Sequence, residues 1–448
     1  MIRWFRTKAS RAALLALAVA VCCPAASAAQ GSIQLPQQSR WGPPVYQAEG
    51  LYTILVPVDG EPLPEVGVLG VPPQGPFSGE RPLLVFFHSF GVSPNEVKQT
   101  QFDEQAAQRG WYLWSAGSRS PVGARDVNYG SVESQVFTEA GIDYVVDNYP
   151  IDVDRIYGVG FSMGAAQATA FAARHRDPRR PMFAAVVNHE GTIDQADTWR
   201  QNILARPFLN QIFSGNPVFE PYAYRRASVL ELDPVTRALV PGGDHQADNL
   251  TRTPLQQWYA LGTPEQDLVD QTLRLDEFMV AAQNPDYELN AVSGSIHSWS
   301  TLPADQVCDW LASKQRQIAN EGTLRMDRDA RWLYFDIGGV TPDRFASLSY
   351  DMDLGSGAVR LTGSESLLSI RTNLRRWNGG FGQGLPLELT LGAVDSGDTV
   401  VLRGVVQAPL GVLRDGVPQA SGWSYDPVLQ ELTVVESAAG QHLWRFEP

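Results

Sequence analysis

The sequence predicts a mixed α/β chain built on a doubly wound, mostly parallel sheet, with an inserted lid and a C-terminal all-β domain. Three observations predict it. Short apolar runs alternate with helical stretches between Leu51 and Gln317. About sixty residues between Gly191 and Pro254 break that rhythm. After about Asn320, strand-like runs recur without any helical stretch.

Taken in order, 51–58 and 66–71 are apolar runs parted by Asp59-Gly60 and Pro62, and they read as an antiparallel pair. Residues 83–87 are continuously apolar, as a strand buried on both faces should be. A helix over 95–109 ends at Gly110, and a strand over 111–114 follows. Next come a helix over 131–148, a strand over 155–160 and an alanine-rich helix over 165–174. Strands at 183–188 and 255–261, a helix at 267–282, a strand at 287–292 and a helix at 303–317 complete the alternation. In such a sheet the active site lies at the carboxyl ends of the strands. The interval 191–254 is rich in Pro, Asn and aromatics, among them Trp199, Phe208, Phe213, Phe219, Tyr222 and Tyr224, and reads as a lid or cap. Residues 321–448 read as a β-sandwich-like domain, with strands at 331–337, 359–361, 387–391, 400–406, 432–435 and 443–446.

A chain of 448 residues exceeds what one core usually holds, so more than one domain is expected. Residues 1–28 read as a secretory signal peptide. Arg3, Arg6, Lys8 and Arg11 precede an apolar run over 12–21, and Ala26-Ser27-Ala28 offers a cleavage site. The catalytic domain would then cover 29–320, and the protein is expected to be secreted or periplasmic. A lipoprotein anchor at Cys22 or Cys23 is the alternative, although Val21 stands where a small residue is wanted. No later apolar stretch is long enough for a transmembrane anchor. Cys308, amid Asp305 and Asp309, reads as a buried structural cysteine. The formal charge is −14, and losing the four basic residues of the leader takes it to about −18. Nucleic acid is therefore not an expected partner. No metal-ligand pattern, phosphate loop or cofactor motif stands out; Asp152-Val153-Asp154 reads as a turn.

Gly160-Phe161-Ser162-Met163-Gly164 fits G-x-S-x-G, in which a serine sits on a strained turn between strand and helix. The bare string is weak, but a strand leads in and a helix of small residues leads out. Ser162 is the expected nucleophile, and a serine hydroxyl needs a base. Of six histidines, His297 in Gly294-Ser295-Ile296-His297-Ser298-Trp299 follows the last strand of the sheet, where a loop can fold back over Ser162. The others end helices or strands (His175, His88, His189), or lie in the insertion (His245) or the β part (His442). The base needs an acid to set its tautomer. Chain order puts that acid between Ser162 and His297. The loop after 255–261 supplies Asp267, with Glu265 the second choice and Asp233 and Asp244 behind them. Asp267 could equally be a helix cap. Oxyanion donors are expected from the main-chain N–H groups of Met163 and Phe90, with His88 orienting the Phe90 loop.

These residues, His88-Ser89-Phe90-Gly91, the Ser162 pentapeptide, Gly262-Thr263 with Asp267, and the His297 hexapeptide, resemble the α/β-hydrolase superfamily. The run Asp152-Val153-Asp154-Arg155-Ile156-Tyr157 is similar to the lead-in of its secreted feruloyl-esterase, polyhydroxybutyrate-depolymerase-like and dienelactone-hydrolase-like branches. The resemblance covers about half the chain and implies hydrolysis of carboxylic esters, aromatic or polymeric, through an acyl-enzyme. A peptidase or a C–C (β-diketone) hydrolase would use the same triad. A non-catalytic binding protein on the same scaffold is the remaining alternative.

Overall fold

The first eight strands form one sheet in a computed structural model of the chain. The structure describes residues 45–74, 79–119, 127–353, 358–363, 369–373, 387–393, 398–438 and 440–447. The leader expected at 1–28 lies outside the described residues.

The strands are β1 (Gly50–Val56), β2 (Glu65–Val71), β3 (Arg81–Phe87), β4 (Tyr112–Ala116), β5 (Ile151–Phe161), β6 (Ala185–His189), β7 (Leu255–Ala260) and β8 (Tyr287–Val292). Their order is β1-β2-β4-β3-β5-β6-β7-β8. β2 pairs antiparallel with β1 and β4, and every pairing from β4 to β8 is parallel. The alternation in β3 explains why the sheet is wound on both sides. Leu83, Val85 and Phe87 enter one hydrophobic cluster, while Leu84 and Phe86 enter another. Successive side chains of a strand point to opposite faces, so both faces must be covered by helices.

Eight α-helices are described: α1 (Phe102–Gln108), α2 (Val132–Asn148), α3 (Met163–Arg174), α4 (Gln195–Gln201), α5 (Arg206–Ile212), α6 (Pro221–Arg226), α7 (Gln266–Ala281) and α8 (Ala304–Ala312). α2 and α3 pack into the first cluster through Ile142 and Phe171; α1 and α8 pack into the second through Phe102 and Val307. The single helix expected over 95–109 is split. A 3-10 turn covers Pro94–Gln99, Thr100 is extended, and its Oγ1 accepts from Phe102 N–H at 3.2 Å to start α1 afresh. Ser131 caps α2 through Ser134 N–H. The segment 191–254 carries α4, α5 and α6.

From Glu321 on, two further sheets follow, of six and seven strands among the described residues. Phe335, Ile370 and Val434 from the first and Leu348, Leu389 and Phe446 from the second share one buried cluster. The strand expected over 331–337 is instead a hairpin, Ala330–Trp332 against Phe335–Gly338, with Leu333 at φ 51° in the turn. Its hydrophobics are buried on both arms, so periodicity alone did not reveal the reversal.

Candidate active site

Ser162 ends β5 and opens α3, with φ 55° and ψ −124°. That is a conformation L-residues rarely adopt, and it persists only where the surroundings enforce it. Ser162 N–H donates to His189 O at 2.9 Å. The two glycines of the pentapeptide are needed for close approach. A Cβ on Gly164 would lie 2.1 Å from Phe87 O, and one on Gly160 would lie 2.3 Å from Gly164 O. The turn is therefore pressed between β3 and its own helix, which lifts the serine out of the sheet.

His297 lies on the loop after β8, and its ring sits 4.3 Å from that of Phe161. Phe161 also contacts Trp299, which stacks on Phe86 at 4.5 Å. These aromatics set the attitude of the loop. Gly262 N–H donates to Gly294 O at 2.7 Å and ties it to the end of β7. Buried His189 adds a further brace, with Nε2 2.8 Å from Thr301 Oγ1 and Nδ1 3.2 Å from Trp258 O.

The partner of His297 differs from the expected one. Its Nδ1 lies 2.5 Å from Oε2 of Glu190, which is fully buried immediately after β6. The other carboxylate oxygen of Glu190 accepts Ala260 N–H at 2.6 Å. Burial by itself would push the Glu190 carboxyl up, but the His297 and Ala260 hydrogen bonds outweigh it and the net direction is down. Glu190 is thus held as a carboxylate. Asp267 instead lies in the first turn of α7, where burial pushes its carboxyl up and Arg237 Nη2 reaches its main-chain oxygen at 3.4 Å. Glu265 precedes α7 and accepts from Thr263 Oγ1 at 3.1 Å. Asp233 caps its own turn and Asp244 pairs with Arg225.

The reason lies in strand order. β6 is the neighbour of β5, with Phe161 opposite His189, whereas β7 is one strand farther out. A residue just past His189 therefore stands beside Ser162. Sequence reasoning passed over Glu190 because it looked after the following strand. The available signal was Asn188-His189-Glu190-Gly191, an acid at a strand end followed by a glycine. Gly191 is required there, since a Cβ on it would lie 2.5 Å from Ala165 Cβ.

Ser89 spends its N–H on Glu96 Oε2 at 2.8 Å and its hydroxyl on Oε1 at 2.6 Å. This anchors the loop after β3. His88, buried, spans Ser89 O at 2.9 Å and Gly117 O at 3.1 Å. The main-chain N–H groups of Phe90 and of Met163, the first residue of α3, have no acceptor among the described residues. Ser162, His297, Phe90 and Met163 line one cleft of about 410 Å³. Tyr129, Leu204, Phe208 and Leu268 add apolar walls, the last three from the insertion and α7. Phe90 meets Phe208 edge-on at 5.1 Å. Among the described residues no Lys or Arg lines the cleft, and Glu265 is the one carboxylate that does.

Cys308 is buried in α8, and burial pushes its thiol up to about 12, which leaves it unreactive. Asp152 pairs with Arg155 and Asp154 with Arg316. No helix among the described residues is long and apolar enough to cross a membrane.

No protein-family model matches the sequence, and no curated protein matches it. Among solved structures, the chain is similar to an acylaminoacyl peptidase of Pyrococcus horikoshii, at 15% identity and a TM-score of 0.44. The match covers 61% of this chain and 43% of that one, so the chain spans less than half the length of the peptidase. It is also similar to an S-formylglutathione hydrolase from Agrobacterium tumefaciens, at 15% identity, a TM-score of 0.43, and coverage of 59% of this chain and 94% of that one. A third similarity is to the S-formylglutathione hydrolase of Staphylococcus aureus, at 12% identity and a TM-score of 0.40, over 59% of this chain and 100% of the other.

Proposed function

We propose that the chain is a serine hydrolase of carboxylic esters, with Ser162 as nucleophile, His297 as base and Glu190 as the acid that orients it. One observation carries this reading: a buried, ionised Glu190 holds His297 Nδ1 at 2.5 Å, in the same cleft as a serine on a strained turn. The chain order Ser162, Glu190, His297 is the order of α/β hydrolases.

With Nδ1 committed to Glu190, Nε2 of His297 is free to take the proton of Ser162. Oγ then bonds to the ester carbon, and the carbonyl oxygen becomes an oxyanion facing the N–H groups of Met163 and Phe90. Collapse expels the alcohol, which takes the proton from His297. Water then gives a proton to His297 and attacks the acyl-enzyme. Ser162 leaves with that proton, and the acid is released. Glu190 remains a carboxylate throughout and stabilises the imidazolium. The apolar, aromatic walls suit an apolar or aromatic acyl group. Residues 191–254 act as a cap over this cleft in the same reading. Residues 1–28 are a cleaved export leader, and 321–448 a β-sandwich-like domain.

Hydrolysis of p-nitrophenyl acetate tests the reaction. Ser162→Ala should lose about 10³-fold or more in kcat/KM, and a fluorophosphonate should label wild type at Ser162. Inertness of wild type towards both reagents would sink the enzyme reading and leave a binding protein. Turnover of peptidyl anilides with none of esters would move the reading to a peptidase.

A further inference from the structure

Phe90 N–H, one of the two donors offered to the oxyanion, belongs to the same peptide unit as Ser89 O. That peptide is trans, so its N–H and C=O lie in one plane and point in opposite directions. Whatever holds Ser89 O therefore also aims Phe90 N–H. Buried His88 holds it: Nδ1 lies 2.9 Å from Ser89 O, and Nε2 lies 3.1 Å from Gly117 O, in the turn after β4. Glu96 fixes Ser89 from the other side, through its N–H and its hydroxyl.

Gly117 O in turn shares a peptide unit with Ser118 N–H, which donates to Oε1 of Glu65 at 2.8 Å. Gly117 N–H donates to the same oxygen at 2.7 Å. Two successive main-chain N–H groups thus cradle one carboxylate oxygen. The register explains how they meet. β2 and β4 run antiparallel with Val68 opposite Ser115, which brings Glu65 beside Ser118. The Glu65 carboxylate, the Gly117–Ser118 peptide, the His88 ring and the Ser89–Phe90 peptide form one chain of contacts from β2 to the cleft. Glu65, Ser118 and His88 are all buried, so water does not compete for these contacts.

The turn is not one the chain adopts freely. Ser118 has φ 48°, and a Cβ on Gly117 would lie 2.1 Å from Val66 O. A serine in that region persists only where its surroundings impose it. Glu65 imposes it on the main chain, and Thr138 Oγ1, 2.8 Å from Ser118 Oγ, holds the side chain. Without an acceptor at Glu65, two buried N–H groups would be left unpaired. The turn would then relax, and Gly117 O would turn away from His88.

We propose that Glu65 is a positioning residue of the oxyanion hole, acting through the Gly117–Ser118 peptide and His88 to set the direction of Phe90 N–H. It rests on the hydrolase reading above, in which Phe90 N–H receives the oxyanion. Glu65 itself touches no substrate. Its effect falls on the transition state, because the oxyanion forms only there and a misaimed donor leaves substrate binding alone.

The test uses the full chain and three readings: kcat per fluorophosphonate-reactive site, KM for p-nitrophenyl acetate, and Ki for phenylboronic acid. The tetrahedral adduct of that acid with Ser162 places an oxygen where the oxyanion would be. Neither Ki nor kcat per labelled site depends on the folded fraction, so a loss of stability alone would leave both unmoved. Glu65→Leu should lower kcat and raise Ki, each by about tenfold or more. KM should stay within about twofold, since acylation and deacylation both pass through an oxyanion. Glu65→Gln keeps Oε1 as the acceptor and should hold kcat and Ki within about threefold of wild type. His88→Asn should resemble Glu65→Leu, and the double variant should be no worse than the worse single one, as for residues acting in one chain. If Glu65→Leu does not fold, Glu65→Asp is read in its place, because it draws the carboxylate back from the turn by one methylene. The proposal is overturned if wild type is active and kcat and Ki of the Glu65 variant stay within about twofold of it. It is equally overturned if the effects at Glu65 and His88 multiply. A wild type inert to ester and fluorophosphonate alike would overturn the hydrolase reading, and this inference with it.

Discussion

Glu190 holds φ 50° one residue past β6, and the strain is repaid by where its carboxylate arrives. Oε2 meets His297 and Oε1 meets Ala260 N–H. Glu190→Gln should lower kcat by about 10³- to 10⁴-fold, because a neutral amide neither stabilises the imidazolium nor enforces its tautomer. Asp267→Asn should leave kcat/KM within about threefold of wild type. The reverse ranking in a p-nitrophenyl acetate assay would return the acid's role to Asp267. Glu65 poses a different problem at the same scale. It is fully buried in β2; Oε1 accepts Gly117 N–H at 2.7 Å and Ser118 N–H at 2.8 Å, and Oε2 has no partner. Burial, only partly offset by those bonds, raises its pKa to about 7. The unfolded chain ionises Glu65 first, near pH 4.5, so the folded state loses stability as pH rises from there to about 7. The full penalty above that range is about 3 kcal/mol. Urea titrations of wild type and Glu65→Gln between pH 4.5 and 8 should show that slope in wild type and its absence in the variant.

At the scale of elements, the turn at Ser162 depends on three chain segments meeting without side chains between them. Gly164 touches the end of β3, Gly160 touches Gly164, and Gly191 touches α3. Gly164→Ala would force its Cβ against two carbonyl oxygens, Phe87 O at 2.1 Å and His88 O at 2.5 Å. We expect a loss of about 2–4 kcal/mol in stability, with activity falling further than stability alone explains. The reason is that the Phe87–Phe90 segment also carries the Phe90 N–H, an oxyanion donor in the proposed mechanism. Wild-type thermal stability in this variant would contradict the packing described. The elements themselves were largely legible: the strand at 287–292 coincides with expectation and the helix expected over 131–148 is found at Val132–Asn148. The helix break at Thr100 and the turn at Leu333 were not, because each interrupts a hydrophobic pattern that is otherwise continuous.

Across the whole molecule, the later β sheets are joined to the eight-stranded sheet by buried charge as well as by apolar contact. Asp327 follows the first strand of those sheets and accepts Arg174 from α3 and Arg226 from α6. The arginines hold its carboxyl well below the usual range against the upward push of burial. That contribution is complete above the unfolded carboxyl's value, about pH 4, and is lost only as pH falls below it. Asn249 adds a second bridge, giving Nδ2 to Ala173 O and Arg325 O and accepting Arg325 N–H at 2.7 Å. Asp327→Asn should cost about 3–5 kcal/mol, since it strands a buried guanidinium. Truncation after Asn320 should give insoluble protein for the same reason. A soluble, fully active 1–320 fragment would show instead that the catalytic sheet stands alone.

The alternation of strands and helices, the serine turn and the histidine after the last parallel strand are local properties. Periodicity, glycine spacing and chain order carry them, so the sequence by itself determined them. The acid is not local. Glu190, Asp233, Asp244, Glu265 and Asp267 all satisfy the same chain order, and only the lateral order of strands decides that the end of β6 lies beside Ser162. The buried cluster around Asp327 is likewise invisible in sequence, where Arg174, Arg226 and Asp327 are far apart. Burial and partnering are properties of the packed chain, and they decide which carboxylate meets His297 and which arginines meet Asp327.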